Sequence, residues 1–72
     1  MTYTVIYEVG ATSWGAYVPD LPGVISAGAS REEVEQLIQE AIAFPIGGMR
    51  DEGLAVPSPS SFAGVVDVDA AV

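Results

Sequence analysis

The residues of this chain that could do chemistry are its acids, because most other reactive types are missing. The 72 residues include ten acids against two arginines, Arg31 and Arg50, with no His, Cys, Lys or Asn. Without His or Cys there is no Ser-His pair, no thiolate nucleophile and no ordinary zinc site. Without Lys, a P-loop and a Schiff base are excluded. Catalysis would depend on carboxylates, either in a magnesium-type cluster or as an acid/base pair in a cleft.

The first candidate acid is Asp20, which lies between two prolines in the segment "VPDLPG". As a functional residue it would be a base or a ligand. As a structural residue it would occupy a turn, where its carboxylate accepts hydrogen bonds from local amides. No other residue of the motif could act with it in catalysis, so the structural interpretation is favoured.

The second candidate is the pair Asp67 and Asp69 in "VDVD". Alternate residues of a strand point to the same side, so these two acids could bind a divalent cation with Glu8 if their strands were adjacent. Paired acids on an edge strand more often keep the strand solvated and discourage unwanted pairing. We therefore predict no catalytic residue, no metal site and no cofactor.

Two further surfaces could bind a partner. Glutamates and glutamines cover the polar side of a predicted helix, which is usually only a solvated surface. Aromatic residues recur at alternate positions of the predicted strands, where they more often form a core or a subunit interface than a ligand platform. Together with the acids, these surfaces give the candidate partner-binding residues Glu8, Trp14, Tyr17, Asp20, Asp67 and Asp69.

Composition and charge restrict the class of protein. A chain of 72 residues forms one domain, here 1–72, and such a chain buries only roughly 60% of its unfolded surface. Its apolar content of 50% predicts self-association through an edge strand or an apolar sheet face. The net charge of −8 disfavours direct nucleic-acid binding and favours a basic protein partner. No leader peptide or membrane span is predicted, so the expected location is the cytoplasm.

Three strands are predicted before the helix. Alternation of β-branched and aromatic residues predicts Thr2–Val9, and extended patterns predict Trp14–Val18 and Val24–Gly28. Gly10–Ser13 has loop composition, so the first two strands form a hairpin. The two prolines and Gly23 of "PDLPG" require a turn before the third strand. Sequential antiparallel pairing is the simplest arrangement.

One helix follows, and its start is the clearest local signal. The Ser30 hydroxyl can cap the amide of Glu33, while the Glu33 carboxylate can reach back to the Ser30 amide. Apolar residues at helical spacing form one stripe: Val34, Leu37, Ile38, Ala41, Ile42, Ile46 and Met49. Pro45 removes a helix hydrogen bond. A regular helix is therefore predicted to about Phe44, followed by a kink or a looser turn that ends at Gly53.

The last segment alternates again and predicts a fourth strand, Phe62–Ala70, at the edge of the sheet. The predicted order is βββαβ. The fold class is therefore α+β, with one helix packed on one face of an antiparallel sheet.

The order of these segments resembles the HicB-like antitoxin family. The resemblance covers about Tyr3 to Phe62, and its most specific part is "YVPDLPG", Tyr17 to Gly23. It also includes "S-x-E-E" at the helix start, "EAI" within the helix and "EG…VPSPS" after it. The resemblance implies a partial RNase H-like fold and a dimer or higher homo-oligomer. It also implies an antitoxin that occludes a small, basic, RNA-cleaving toxin of the HicA type.

Some features depart from the family pattern. Many members carry a C-terminal DNA-binding segment, whereas this chain reaches Val72 with almost no basic residues. Operator binding is therefore not predicted for this chain alone. Pro45 and Gly47 lie where relatives continue the helix with polar residues. Two alternatives stay open, a metal-dependent nuclease of RNase H type and an oligomerising protein without a toxin.

Overall fold

A three-stranded antiparallel sheet forms the first half of the chain in the computed structural model, which describes residues 1–69. The strands are β1 (Ile6–Val9), β2 (Trp14–Tyr17) and β3 (Ile25–Gly28), in the spatial order β1-β2-β3. This arrangement confirms the predicted sequential pairing. Each strand is shorter than predicted, because the ladder starts where Ile6 pairs with Tyr17 and Tyr17 pairs with Ile25.

Two tight connections join the strands as the sequence predicts. In the loop Gly10–Ser13 the Gly10 amide donates a hydrogen bond to the Ser13 carbonyl at 2.8 Å. In the second connection the Val18 amide donates to the Val24 carbonyl at 3.2 Å. Gly23 has a φ of 84°, a left-handed conformation that glycine adopts without steric cost. The prolines and this glycine therefore turn the chain out of the ladder.

The helix α1 (Arg31–Asp51) begins at the predicted cap. The Ser30 hydroxyl accepts a hydrogen bond from the Glu33 amide at 3.2 Å. The Glu33 carboxylate accepts one from the Ala29 amide at 3.4 Å, rather than from the Ser30 amide as predicted. It passes over Gly28, where an added Cβ would lie 2.9 Å from the Glu33 carboxyl carbon. Because Gly28 has no side chain, the Glu33 carboxylate has room to accept the hydrogen bond from the Ala29 amide.

The helix continues through Pro45 to Asp51, so the prediction that regular helix ends near Phe44 is wrong. The physical reason is packing beyond the proline, since Ile46 is buried in the core. The end of the helix is also satisfied, because Leu54 and Gly53 donate to carbonyls of the last turn, with Gly53 at a φ of 72°. These contacts offset the hydrogen bond that Pro45 cannot donate.

The core lies between one face of the sheet and the helix. Its buried side chains come from β2, the turn after it and α1: Ala16, Val18, Leu21, Val34, Ile38 and Ile46. Tyr3, Val5, Tyr7 and Trp14 pack against it and are half-buried. This arrangement of one helix on an antiparallel sheet confirms the predicted α+β class. The opposite face of the sheet carries no helix of the described residues.

The predicted fourth strand is absent from residues 62–69, which have no regular secondary structure. Its last residue, Ala70, lies outside the described residues. Alternating apolar and polar residues give a segment two different faces, but they do not provide a neighbouring strand to which it can hydrogen-bond. None of the three described strands pairs with residues 62–69. The observed order over residues 1–69 is therefore βββα.

Candidate functional site: the Asp20 clamp and the open sheet face

The carboxylate of Asp20 accepts four hydrogen bonds. Its carboxylate accepts hydrogen bonds from the amides of Ser60 and Ser61 at 2.8 and 2.9 Å. It also accepts hydrogen bonds from their hydroxyl groups at 3.0 and 2.7 Å. All four donors lie about 40 positions along the chain, not in the local turn that the sequence predicts. Asp20 therefore clamps two distant parts of the chain together.

The clamp changes the acidity of Asp20. The four hydrogen bonds lower its pKa from 3.8 to about 2 because they favour the charged form, chiefly the one from the Ser61 hydroxyl, followed by those from the amides of Ser61 and Ser60. A carboxylate with both oxygens occupied and a low pKa is a poor general base at neutral pH. The geometry therefore supports the structural interpretation of Asp20.

Two more contacts hold the same part of the chain, which we call the strap (residues 57–61). The Tyr3 hydroxyl donates a hydrogen bond to the Pro57 carbonyl. The Thr4 hydroxyl donates one to the Ser61 carbonyl at 2.7 Å. The strap therefore runs back from the helix to the segment that precedes β1. The sequence analysis assigned no contact to these residues. The signal that could have found the contact is a pair of serines, Ser60 and Ser61, whose amides and hydroxyls can donate to a carboxylate that has no local partner.

The sheet face opposite the helix, here called the open sheet face, carries a row of apolar side chains. The register places Ile6, Tyr17 and Ile25 side by side on three strands. Tyr17 is 39% exposed and Ile25 is 69% exposed. The sequence predicted Tyr17 as a partner-binding residue but did not identify the two isoleucines beside it.

The other predicted partner-binding residues lie in three places. Glu8 is exposed on the open sheet face, in the next row across from Gly15 and Ala27. Trp14 lies on the opposite face, where it packs against the core and is only half-exposed. Asp67 and Asp69 are exposed beyond the strap. The structure therefore places Tyr17 and Glu8 on one face and separates Trp14 from them.

The acids do not form a metal site among residues 1–69. No group of three or more Asp or Glu side chains there could hold a metal ion, and this includes the less favoured combination of Glu8, Asp67 and Asp69. The same part of the chain has no pocket in which a small substrate could be enclosed.

The helix contributes acids on its exposed side and one partly neutralised cation. Arg31 donates to the Glu35 carboxylate at 2.9 Å, and its guanidinium lies 5.2 Å from the centroid of the Tyr7 ring. This cation-π contact ties the first turn of α1 to β1. Glu32 and Glu40 are exposed on the same helix. The predicted acidic helix surface is therefore present.

No helix of the described residues has the length and apolar character needed to span a bilayer. No solved structure matches the chain.

Sequence comparisons identify relatives. A protein named Antitoxin HicB 2, from Photorhabdus laumondii subsp. laumondii, is 30% identical over 61 residues, which are 85% of this chain and 44% of that protein. The chain thus spans less than half the length of this curated relative. The family described as HicB_like antitoxin of bacterial toxin-antitoxin system matches residues 3–70. This match, over nearly all of the sequence, confirms the resemblance: the chain belongs to the HicB-like antitoxin family.

Proposed function

We propose that this chain is a non-enzymatic antitoxin that binds a small, basic ribonuclease toxin of the HicA type and covers its active site. Membership of the antitoxin family is the observation that carries the proposal. Such a toxin acts on RNA inside the cell, so the proposed location is the cytoplasm. Binding to protein, rather than to nucleic acid or membrane, is the proposed mode of action.

The charge of the chain supports a basic partner. The chain has ten acids and only two arginines, and one of these, Arg31, is paired with Glu35. A ribonuclease presents positive charge to the phosphates of its substrate, and an acidic protein surface attracts the same charge. Complementary charge mainly speeds association and excludes wrong partners. The −8 charge of the antitoxin would therefore favour rapid capture of the toxin.

The open sheet face is the proposed contact surface for the toxin. Its centre is the apolar row of Ile6, Tyr17 and Ile25, and Glu8 lies in the adjacent row. A centre with an aromatic anchor and a charged margin is the usual composition of a protein interface. We further propose that the antitoxin forms a homodimer or a higher homo-oligomer, since a chain of this size buries a small core.

The direct test uses the product of the neighbouring gene, if that gene encodes a short basic protein. The two proteins are purified separately, mixed and analysed by size-exclusion chromatography, and RNA cleavage is measured with and without the antitoxin. We expect a stable complex and loss of cleavage. No complex and unchanged cleavage would contradict the proposal. Metal-dependent RNA cleavage by the antitoxin alone, abolished by Asp67→Asn, would establish the nuclease alternative instead.

Matched variants locate the contact surface. Glu8→Gln removes a charge from the open sheet face, whereas Glu40→Gln removes one from the exposed side of the helix. We expect Glu8→Gln to slow association more than Glu40→Gln, and Tyr17→Ala to speed dissociation. Equal effects of both charge variants would place the contact on the acidic helix surface as much as on the sheet.

A further inference from the structure

The sheet has one edge that the described chain leaves open, and it is the edge of β3. Within residues 1–69, β1 and β3 are the two edge strands, and neither pairs with a further strand. The strap contacts Tyr3 and Thr4, which shortly precede β1, so residues 62–69 begin beside the β1 edge of their own sheet. The strap reaches the β3 side only at Asp20, in the turn before that strand. The β3 edge is therefore free to accept a partner.

The backbone of β3 points two residues away from β2. The Val18 amide donates to the Val24 carbonyl, and the pairs of an antiparallel ladder alternate between hydrogen-bonded and non-hydrogen-bonded. Ser26 is therefore bonded to β2, whereas Ile25 and Ala27 direct their amides and carbonyls outward. These outward groups are the ones that a further strand would bind.

The β3 edge also lacks the features that protect an edge strand. Charged residues and prolines usually discourage edge pairing, and β3, with the sequence Ile-Ser-Ala-Gly, has neither. Its Ile25 is 69% exposed. A partner commonly binds such an edge by adding an extended strand, with main-chain hydrogen bonds for affinity and side-chain contacts for specificity. The side chains beside the edge therefore indicate which segment it fits.

Two rows of the open sheet face reach the β3 edge, and they differ in chemistry. The first is the apolar row that ends at Ile25. The second, which we call the low row, consists of Glu8, Gly15 and Ala27, side by side on the three strands. Gly15 has no side chain and Ala27 has only a methyl group. The low row is therefore an uncrowded path from the β3 edge to the exposed Glu8 carboxylate.

The length of the low row suits one long basic side chain. Neighbouring strands lie about 4.8 Å apart, so a strand added to β3 lies about 14 Å from β1. An extended arginine of the added strand and the Glu8 side chain together span that distance. The guanidinium group of such an arginine donates to a carboxylate in a strong, charge-assisted hydrogen bond. An acid at the same position would meet like charge.

We propose that the toxin adds an extended strand to the β3 edge, with an apolar side chain beside Ile25 and, two residues along, an arginine laid along the low row to Glu8. This inference rests on the proposed function and specifies how the toxin is held. Main-chain hydrogen bonds to Ile25 and Ala27 join the toxin strand to the sheet. The net charge of −8 favours a basic segment over a neutral or acidic one.

Amide hydrogen exchange tests the added strand. The partner is the purified short basic protein of the neighbouring gene, and exchange is followed by NMR in the antitoxin alone and in the complex. We expect the amides of Ile25 and Ala27 to exchange fast in the antitoxin alone and about tenfold or more slowly in the complex. The Ser26 amide is the internal control, because it is bonded to β2 in both states.

Two variants test the low row. A Cβ at Gly15 would lie 3.7 Å from the nearest atom, the Ser26 carbonyl oxygen, so Gly15→Val fits the free chain and fills the low row. We expect Gly15→Val and Glu8→Gln each to raise the dissociation constant about tenfold. In the Gly15→Val background, Glu8→Gln should have little further effect, because the arginine no longer reaches position 8. Glu40→Gln, exposed on the helix, is the control and should change the constant less than about twofold.

The outcomes separate this inference from the proposed function. A complex in which the amides of Ile25 and Ala27 exchange as fast as in the antitoxin alone would overturn the added strand and leave toxin binding intact. No complex would overturn both. Slow exchange of these two amides in the antitoxin alone would show that residues 62–69 or a second copy already cover the edge, which also overturns the proposal. Additive effects of Gly15→Val and Glu8→Gln would contradict the arginine contact with Glu8.

Discussion

The carboxylate of Asp20 accepts two hydrogen bonds from a single residue, Ser61, one from its amide at 2.9 Å and one from its hydroxyl at 2.7 Å. Ser60 donates a second such pair. The turn between two strands is thereby joined to the strap that follows the helix. We therefore expect the clamp to determine where the strap lies and in which direction residues 62–69 leave it.

The first prediction concerns this clamp. Asp20→Asn removes the charge and one acceptor oxygen, so we expect a lower melting temperature and faster amide exchange at Ser60 and Ser61. Asp67→Asn is the matched control, because its side chain is exposed beyond the strap. If both variants melt at the same temperature as the parent, the clamp contributes nothing to stability.

The second prediction is the pH dependence of the clamp. The pKa of Asp20 is lowered from 3.8 to about 2 in the folded chain. Its contribution to stability is therefore complete above the unfolded value and is lost as pH falls from about 4 to about 2. Melting temperatures of the parent chain and Asp20→Asn should differ most near neutral pH and converge as the pH approaches 2. A difference that stays constant down to that pH would contradict the assignment.

The third prediction concerns the core. Ile38 is 1% exposed at the centre of the helix stripe, and Ile38→Ala should lower the free energy of unfolding by about 2 to 5 kcal/mol. Phe44→Ala, on the exposed side of the same helix, should change it by less than about 0.5 kcal/mol. Urea denaturation of the two variants measures the difference. Equal losses would mean that the helix does not pack through the predicted stripe.

The fourth prediction concerns the start of the helix. Ser30→Ala removes the hydroxyl that accepts from the Glu33 amide, and we expect a loss of about 1 kcal/mol in the free energy of unfolding. Ser58→Ala, at an exposed strap position, is the control. Denaturation of both variants gives the comparison, and an unaffected Ser30→Ala would show that Glu33 alone satisfies this helix end.

The fold was largely predictable where local signals agreed with one another. The hairpin, the turn at Gly23 and the cap at Ser30 each depend on residues close together in sequence, and the structure confirms them. The helix beyond Pro45 was not predictable from local cost, because Ile46 gains from burial in a core that only the folded chain creates. Tertiary packing outweighed the local penalty there.

The candidate site was less predictable. The hydrogen bonds of Asp20 support its structural interpretation, but its partners Ser60 and Ser61 lie far along the chain, and no periodicity identifies such a contact. Residues 62–69 show the opposite case, since their alternation is clear but no strand lies beside them. The roles in partner binding of the six residues named from the sequence remain predictions: Glu8, Trp14, Tyr17, Asp20, Asp67 and Asp69. Alternating residues predict the two faces of a strand, whereas the strand with which it pairs depends on the fold of the whole chain.

The strap has a consequence for the order of events during synthesis. The sheet and α1 are built from neighbouring elements, so they can form as soon as residues 1–51 have left the ribosome. The hydrogen bond from Ser61 to Asp20 closes a loop of about 40 residues, and the one from Thr4 to Ser61 spans 57 positions. These bonds can close only after residue 61 emerges. In a nascent chain, the sheet and α1 would therefore be folded before the hydrogen bonds of the strap form.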